Sequence, residues 1–345
     1  MGIDLKRIGT DFAKAAQDGK ITAADVDGLI KRVKRDGLTE SEAKELKKQV
    51  AQFKDKFDAE GGAKINTFVT EKMRSLMILD DPTPVNPGGI KDPKVLKADE
   101  KRVRQELLPG ATLVKGGIRG EDVCQKYLGD CYLIAGMASV AHQRPDLIEK
   151  AFHKRADGTY DVSFYEPKGD AWKKVTVHID ADLPHNDWYH LQYASARDEK
   201  ELWPALLEKA VAQHAGSYGA IEAGVPGDAL SMFTGKPSEM IDFREKGVKA
   251  DEVFAALQKA TKENRPATAS TFGESSNAKY TNSGLYADHA YSVWGTEVKD
   301  GKKYVQLRNP WGESEPANNG RDDGIFKMEL SEFMKMFANT EINAS

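Results

Sequence analysis

The chain changes its residue pattern once, at a proline- and glycine-rich stretch that starts near position 80. Before that stretch, segments such as Ala24–Arg35 and Ser41–Phe57 repeat apolar residues every three or four positions among lysines and glutamates, which is typical of amphipathic helices. Beyond it, helical patterns alternate with strand-like ones. The sequence therefore predicts a helical module over 1–79, a linker over 80–99 and a mixed part over 100–345.

Two short Asp-Gly turns in the helical module are each followed by a threonine. Thr22 and Thr39 stand where a side chain can cap the first turn of the next helix. The first turn also resembles half of a calcium-binding EF-hand loop. With Gly19 at the glycine position of such a loop, however, two ligand positions fall on Lys14 and Ala16, which carry no carboxylate. The pattern favours a plain helical hairpin over an EF-hand.

The composition limits the compartment and the partners. The 345 residues include 50 Lys and Arg against 54 Asp and Glu, a net charge of −4 without a basic stripe, which argues against nucleic acid. No apolar run approaches the roughly 18 residues of a membrane span, and the first residues lack the apolar core of a secretory signal. Two cysteines cannot form a disulfide framework. We expect a cytoplasmic monomer without a membrane partner, although a non-classical export route would leave no trace in the sequence.

The part beyond the linker mixes helices and strands in separate runs, which predicts an α+β class with two lobes behind the helical module. An apolar helix follows Asp130, which stands at its N-cap position, and a strong amphipathic helix covers 201–214. Alternating patterns predict two strand pairs, Tyr160–Tyr165 with Lys174–Ile179, and His289–Val298 with Lys303–Arg308 around the turn Asp300-Gly301.

One cysteine has the surroundings of a nucleophile. Cys131 follows a Gly-Asp turn and begins the apolar helix that runs to His142, so free backbone N–H groups and the positive end of the helix dipole favour its thiolate. Cys124 has no helix end behind it and is expected to be a small buried residue.

A thiolate nucleophile needs a base, and His289 is the best placed of seven histidines. His142 lies at the far end of the helix, about 16 Å from Cys131 at about 1.5 Å per residue. If Asp300-Gly301 turns the hairpin, the start of one strand and the end of the next meet at one sheet edge, which brings His289 and Asn309 together. The amide can then orient the imidazole while Trp311 screens the pair from water.

These blocks resemble the protease core of the calpains, cysteine peptidases with a two-lobed papain-like fold. The family pattern Gln-Gly-x-Leu-Gly-Asp-Cys-Trp is similar to Gln125–Tyr132, with Lys126 in place of Gly and Tyr132 in place of Trp. Gly-His-Ala-Tyr-Ser-Val is similar to Asp288–Val293, with Asp288 in place of Gly, and Leu-Arg-Asn-Pro-Trp-Gly is reproduced as Leu307–Gly312. Further matching blocks are Glu201–Ala210, Gly216-Ser217-Tyr218, Phe233-Thr234-Gly235 and Asp323-Gly324-Ile325-Phe326.

The resemblance covers roughly residues 95–340 and assigns roles to the matching positions. It implies a first lobe over 100–224 that carries the nucleophile Cys131, and a second, β-rich lobe over 225–345 that carries His289 as base and later acid and Asn309 as its orienting residue. Gln125 would donate a side-chain N–H to the oxyanion beside the Cys131 backbone N–H, and Trp311 would shield the Asn309–His289 bond. The implied function is a cysteine endopeptidase that acts on protein substrates.

Calpain cores also bind calcium, one ion in each lobe, so the resemblance implies Ca2+ as a cofactor and activator. In the first lobe, Gly117 (through its carbonyl), Asp122 and Glu201 fall on ligand positions; calcium takes roughly six to eight oxygens, which carbonyls and water would complete. In the second lobe Glu315 and Asp323 match, but Ile325 stands where the family has a glutamate.

Other interpretations stay open at this stage. A transglutaminase-like acyl transferase would use a similar Cys-His pair, although its orienting residue is normally an aspartate. A non-catalytic relative that binds calcium or protein would have no need of Cys131, His289, Asn309 and Gln125 together. Residues 1–79 resemble no calpain module that we can name, and they could inhibit the core, bind a partner or stabilise the chain.

Overall fold

The computed structural model describes residues 5–17, 19–36, 40–62, 64–65, 90–169, 171–316 and 321–344. The chain divides into two compact units, one formed by 1–83 with 109–111 and the other by 84–108 with 112–345. No helix among the described residues combines the length and the apolar character needed to cross a membrane.

In the first unit, the described residues include the helices α1 (Leu5–Ala15), α2 (Ala23–Asp36) and α3 (Glu40–Gln52). Thr22 caps α2 as the sequence predicts: its hydroxyl accepts the Asp25 N–H at 3.4 Å, and the Asp25 carboxylate accepts the Thr22 N–H at 2.9 Å. Thr39 and the part of the predicted linker over 80–89 lie outside the described residues. The unit has its own core of buried residues, Phe12, Ile21, Val26, Leu29, Leu46, Val50 and Ile65.

The second unit mixes helices and strands. Its helices are α4 (Cys131–Gln143), α5 (Pro145–Glu149), α6 (Trp203–Ala215), α7 (Pro226–Thr234), α8 (Ala250–Lys262), α9 (Asn277–Tyr280) and α10 (Leu330–Met336). Its strands are β1 (Arg104–Leu107), β2 (Val123–Cys124), β3 (Phe152–Lys154), β4 (Tyr160–Lys168), β5 (Ala171–Ile179), β6 (Asp182–His185), β7 (Ser195–Ala196), β8 (Ser238–Asp242), β9 (Ala267–Thr271), β10 (Ala290–Lys299), β11 (Lys302–Arg308), β12 (Ile325–Glu329) and β13 (Phe337–Asn343).

A six-stranded sheet forms the later part of this unit, in the order β12-β11-β10-β9-β13-β8, with every neighbouring pair antiparallel. The predicted hairpin is confirmed: β10 pairs with β11, and the turn residues Asp300 and Gly301 have φ values of 52° and 74°. Because Ser292 pairs with Arg308, the positions just before β10 and just after β11 lie at the same end of the sheet.

The earlier part of the unit is built on the buried helix α4. The helix packs against α7 and β10, and a Cβ atom at Gly136 would lie 2.6 Å from the Cβ of Ala229, so only glycine permits this approach. Hydroxyl groups tie α4 to the six-stranded sheet: Ser292 donates to Ala135 O at 2.8 Å, and Ser139 donates to Ala267 O at 2.8 Å. The start of α4 is thereby fixed beside the start of β10.

The other predicted pair of strands is confirmed too. Strands β4 and β5 pair antiparallel with Tyr160 opposite Ile179, and β3 completes a three-stranded sheet. The amphipathic helix predicted over 201–214 is α6, and Cys124 is buried at the end of β2.

Candidate active site

Cys131 is the first residue of α4, and its side chain is partly buried. The backbone N–H groups of Ala290 and Tyr132 lie near enough to its sulfur to lower the pKa of the thiol, so the cysteine lies close to the residue that follows His289. Burial nevertheless raises the pKa of the Cys131 thiol, the two N–H groups offset part of this shift, and the Asp130 carboxyl adds to it. Desolvation therefore opposes the effect that the sequence analysis expects from the helix end.

Asp130 occupies the N-cap position of α4, but its side chain makes no capping hydrogen bond, so the expected cap is absent. Its carboxyl group is fully buried and faces the carboxyl group of Glu208 from α6. Burial raises the pKa of Asp130 to about 7 and raises the pKa of Glu208 well above its usual range. Neither Asp130 oxygen has a hydrogen-bond partner within ordinary geometry among the described residues, and burial favours the protonated forms of the two neighbouring carboxyl groups. The pattern Leu206-Leu207-Glu208, an acid within an apolar helix face, is the sequence signal for this pair.

The structure brings His289 and Asn309 together, with 3.0 Å between His289 Nε2 and Asn309 Oδ1. The orientation of the amide is fixed, because Asn309 Nδ2 donates to Ser314 O at 3.1 Å while Oδ1 also accepts the Trp311 N–H at 3.2 Å. Nε2 must then carry the proton, which leaves the lone pair on Nδ1. Burial lowers the pKa of His289 to about 4, against the opposing effects of the Asn309 bond and the Asp288 carboxylate.

Two aromatic rings cover the imidazole, each tilted against its neighbour. The Trp311 ring lies 4.8 Å from the His289 ring, and the half-exposed ring of Tyr286 lies 4.3 Å from Trp311. The Trp311 N–H bond to Asn309 places this indole beside the Asn309–His289 bond, where it can exclude water. Tyr286 was missed by the sequence analysis; its only signal there is its position shortly before His289.

The Gln125 amide is buried, and its Nε2 donates to Leu128 O at 2.7 Å. Its Oε1 has no hydrogen-bond partner among the described residues. The Gln125 backbone N–H donates to Pro310 O at 2.8 Å, which ties the segment before Cys131 to the turn after Asn309. That turn needs glycine at Gly312, since φ is +76° and a Cβ there would lie 2.6 Å from the Cys124 sulfur. The side chain of Lys126 extends toward Glu199, with 3.7 Å between Nζ and Oε1.

Two of the predicted calcium ligands, Asp122 and Glu201, are buried near one another. Burial raises the pKa of both carboxyl groups, and the Asp122 charge raises that of Glu201 further. The Arg119 guanidinium pairs with Asp122 at 3.0 Å, and Glu201 Oε1 accepts the Lys115 N–H at 2.8 Å. Gly117 follows in the same loop with φ +98°.

Glu315 and Asp323, the calcium ligands predicted for the second lobe, accept hydrogen bonds from backbone N–H groups of nearby residues. Glu315 Oε2 accepts the Gly324 N–H at 3.0 Å, and Asp323 Oδ1 accepts the Ile325 N–H at 3.0 Å. One oxygen, Glu315 Oε1, is buried without a hydrogen-bond partner among the described residues. Ile325 offers no side-chain oxygen to complete a calcium site.

A different acidic group, Asp92, Asp180 and Asp182, is the only cluster of three potential metal ligands that the described residues contain. A buried lysine already fills it: Lys209 Nζ contacts Asp92 Oδ1 and Asp180 Oδ1 at 2.5 Å each and Asp182 O at 2.6 Å. The ammonium group supplies the positive charge that these acids need, so the cluster is an internal ion-pair network.

Comparison with known proteins agrees with this geometry. The model of the calpain family cysteine proteases matches residues 90–320, a range that contains Gln125, Cys131, His289, Asn309 and Trp311. Mouse calpain-8 is 32% identical over 271 residues, and the calpain-type cysteine protease ADL1 of rice is 32% identical over 229 residues. The bovine calpain-2 catalytic subunit is 29% identical over 270 residues.

The matches cover most of this chain and a smaller part of the relatives. The alignment with calpain-8 spans 69% of the chain and 37% of calpain-8, and the one with ADL1 spans 65% and 10%. The alignment with bovine calpain-2 spans 69% and 37%. The similarity therefore concerns one part of larger proteins.

Proposed function

The chain belongs to the calpain family of cysteine proteases, and we propose from that premise that it is a cysteine endopeptidase that hydrolyses peptide bonds in protein substrates. The observation that carries the proposal is the fixed bond between His289 Nε2 and Asn309 Oδ1. The backbone N–H of Ala290, the residue after His289, lies close enough to the Cys131 sulfur to lower the pKa of the thiol. The proposal includes a papain-like core with lobes over 100–224 and 225–345, behind a small all-α domain over 1–79.

Acylation begins with the proton of the Cys131 thiol and the base His289. Burial raises the pKa of the Cys131 thiol and lowers that of His289 to about 4, and both shifts favour the uncharged side chains before substrate arrives. His289 Nδ1 takes the thiol proton as the sulfur attacks the scissile carbonyl carbon, and the bond from carbon to the leaving nitrogen breaks to give a thioester. The same proton then passes from His289 to the leaving amine.

Deacylation repeats these steps with water. His289 removes a proton from the attacking water, the acid product leaves, and the proton returns to the Cys131 sulfur. Asn309 accepts the Nε2 proton throughout, which keeps the base nitrogen directed at the cysteine, and the Trp311 ring keeps water from that bond.

The carbonyl oxygen gains negative charge in both steps and needs donors. The Cys131 backbone N–H at the start of α4 is one, and we propose the Gln125 amide as the other. Its Nε2 donates one N–H to Leu128 O, and the second N–H of the same amide would serve the oxyanion.

We propose that the first-lobe residues hold calcium. The donor set fits the ion: two carboxyl groups, Asp122 and Glu201, are buried close together at an energetic cost that one guanidinium only partly offsets. The Gly117 carbonyl would add an oxygen from the same loop. A bound calcium ion would neutralise both carboxylates and order this loop. The second-lobe set does not fit in the same way, because Ile325 adds no side-chain oxygen to Glu315 and Asp323.

The deciding experiment is cleavage of fluorescein-labelled casein in reductant, with calcium and with a chelator, beside Cys131→Ala. We expect the substitution to abolish cleavage, a loss of about 10⁴-fold or more, while far-UV circular dichroism stays unchanged. Loss with chelator as well would support the calcium proposal, and cleavage that survives the chelator would refute calcium as activator.

The same preparation distinguishes the other chemistries. Incorporation of a fluorescent primary amine into casein without new chain ends would indicate acyl transfer and contradict the endopeptidase. Cleavage by Cys131→Ala at the wild-type rate would remove Cys131 from the mechanism. If only a variant without residues 1–79 cleaves casein, that region acts as an inhibitor.

A further inference from the structure

The backbone around His289 is held by a residue that the reaction itself does not use. His289 follows a short turn, Tyr286–Asp288, in which Asp288 adopts φ +51°, in the left-handed region that favours glycine. The calpain pattern described above has glycine at this position. In this chain the conformation must therefore be maintained by contacts from outside the turn.

Thr271, the last residue of β9, supplies these contacts from one hydroxyl group. Its Oγ1 accepts the His289 N–H at 3.0 Å. The same hydroxyl donates to Tyr286 O at 2.7 Å, which is nearer than the other carbonyl acceptor, His289 O, at 3.1 Å. The Thr271 N–H donates to His289 O at 3.0 Å. One buried side chain thus joins both ends of the turn, and at 6% exposure water cannot take its place.

Two neighbours complete the support. The Asp288 N–H donates to Phe272 O at 2.7 Å, and Tyr291 Oη accepts the Tyr286 N–H at 3.2 Å. Neither of these two bonds involves the His289 main chain. The hydroxyl of Thr271 is therefore the side-chain group that fixes where the His289 Cα–Cβ bond points.

We propose that Thr271 is a positioning residue that holds the His289 imidazole in register with Cys131 and Asn309, an inference that rests on the proposed function. Asn309 fixes only the far nitrogen of the ring, and Trp311 only its face, so the place of Nδ1 depends on the main chain. A base nitrogen displaced by about 1 Å can lower the rate by about 10²-fold.

Thr271→Val tests the proposal, because valine keeps the shape and the β-branch but removes the hydroxyl. It leaves the His289 N–H without its acceptor and Tyr286 O without its donor. We expect kcat on fluorescein-labelled casein to fall by about 10-fold to 100-fold with little change in KM. Thr271→Ser keeps the hydroxyl and should retain most of the wild-type rate.

Thr340→Val is the matched control. Thr340 is a fully buried threonine on the adjacent strand β13 whose hydroxyl donates to Thr268 O at 2.7 Å, away from the turn. Thr340→Val removes a buried hydroxyl from the same sheet by the same chemical change as Thr271→Val. A general loss of sheet stability would affect both valine variants alike.

A second measurement, the pH dependence of alkylation by iodoacetamide, reports the Cys131–His289 pair without a substrate. Trypsin cleaves after Lys126, so Cys124 and Cys131 fall on different peptides and can be quantified separately by mass spectrometry. We expect the Cys131 profile of Thr271→Val to move toward that of His289→Ala, and those of Thr271→Ser and Thr340→Val to match wild type.

The outcomes separate this proposal from the proposed function. A wild-type profile in Thr271→Val, or an equal change in Thr271→Ser or Thr340→Val, would overturn the role of Thr271. A wild-type protein that cleaves no casein but shows the expected differences in alkylation would contradict the endopeptidase and support the role of Thr271.

Discussion

Cys131 lies at a helix end beside buried carboxyl groups, whereas His289 lies at a strand end among neutral hydrogen-bonding groups. On the cysteine side, the buried carboxyl groups of Asp130 and Glu208 face each other, and burial raises the pKa of both. On the histidine side, Asn309 and Thr271 hold the imidazole and its main chain through uncharged bonds. The properties of the cysteine side therefore depend on which of its carboxyl groups are protonated. Those of the histidine side depend on hydrogen-bond geometry.

The largest effect is expected from loss of geometry on the histidine side. In Asn309→Ala the Nε2 proton loses its acceptor, the ring can rotate and either nitrogen can be protonated. We expect kcat on casein to fall by about 10²-fold, with KM nearly unchanged. Steady-state kinetics with wild type and variant at equal fractions of folded protein measure this.

Asn309→Asp serves as the control for this prediction. A carboxylate still accepts the Nε2 proton, but it favours the imidazolium and so raises the pKa of His289. We expect partial activity with the acid limb of the rate profile moved to higher pH. Equal activity of wild type and the alanine variant would show that Trp311 and the main chain suffice to orient the ring.

The meeting of His289 with Asn309 was predictable because it depends on local rules. The Asp300-Gly301 turn and the alternation of β10 and β11 set the register, and the register sets which residues share a sheet end. The same holds for Cys131 at the start of α4, since apolar periodicity marks the helix.

The chemistry of the cysteine side was not predictable, because it depends on partners distant in sequence. Asp130 reads as a helix cap, yet its carboxyl group faces Glu208 from α6. Gln125 reads as a free donor, yet packing directs its amide to Leu128 O. Burial of Cys131 likewise follows from the docking of α4 against the sheet, which no local pattern reports.

The next largest effect is expected in the pH dependence of stability, to which the two regions contribute with opposite signs. The pKa of Asp130 rises from 3.8 to about 7, so between these values only the folded state keeps the proton and stability falls as pH rises. The pKa of His289 falls from 6.5 to about 4, so between these values only the unfolded state is protonated and stability rises with pH. The two contributions oppose each other between about pH 4 and 6.5.

Removing either Asp130 or His289 should show how the other group changes the free energy of unfolding with pH. Relative to wild type, the free energy of unfolding of Asp130→Asn should increase with pH, and that of His289→Gln should decrease, by at most about 1.4 kcal/mol per pH unit each. Urea unfolding at several pH values measures both changes. Burial also raises the pKa values of Asp182 and Glu341, to about 6 and about 7, so these groups too make stability fall as pH rises. Their contribution is the same in wild type and variant and cancels in the difference.

Asp242→Asn is the control for these slopes. Hydrogen bonds from Arg244 lower the pKa of Asp242 to about 2, so its contribution changes only at lower pH. It should leave the slope above pH 4.5 unchanged. Parallel slopes in all three variants would contradict the assignment of buried, neutral groups to the two regions.

The smallest expected effect is a loss of stability on removing one of the two serine hydroxyl groups that join α4 to the six-stranded sheet. Ser139 both donates to Ala267 O at 2.8 Å and accepts the Ala267 N–H at 2.9 Å, so Ser139→Ala leaves a buried backbone N–H without a partner, at a cost of about 1–3 kcal/mol. Ser292 only donates to Ala135 O at 2.8 Å, a carbonyl inside α4 that keeps its helical bond, so Ser292→Ala should cost about 0.5–1 kcal/mol. Both substitutions remove one oxygen from a fully buried side chain. Urea midpoints at constant m-value give the two costs. If Ser292→Ala proved the more damaging, the helix that carries Cys131 would be held by its bond to β10, next to His289, more than by its bond to β9.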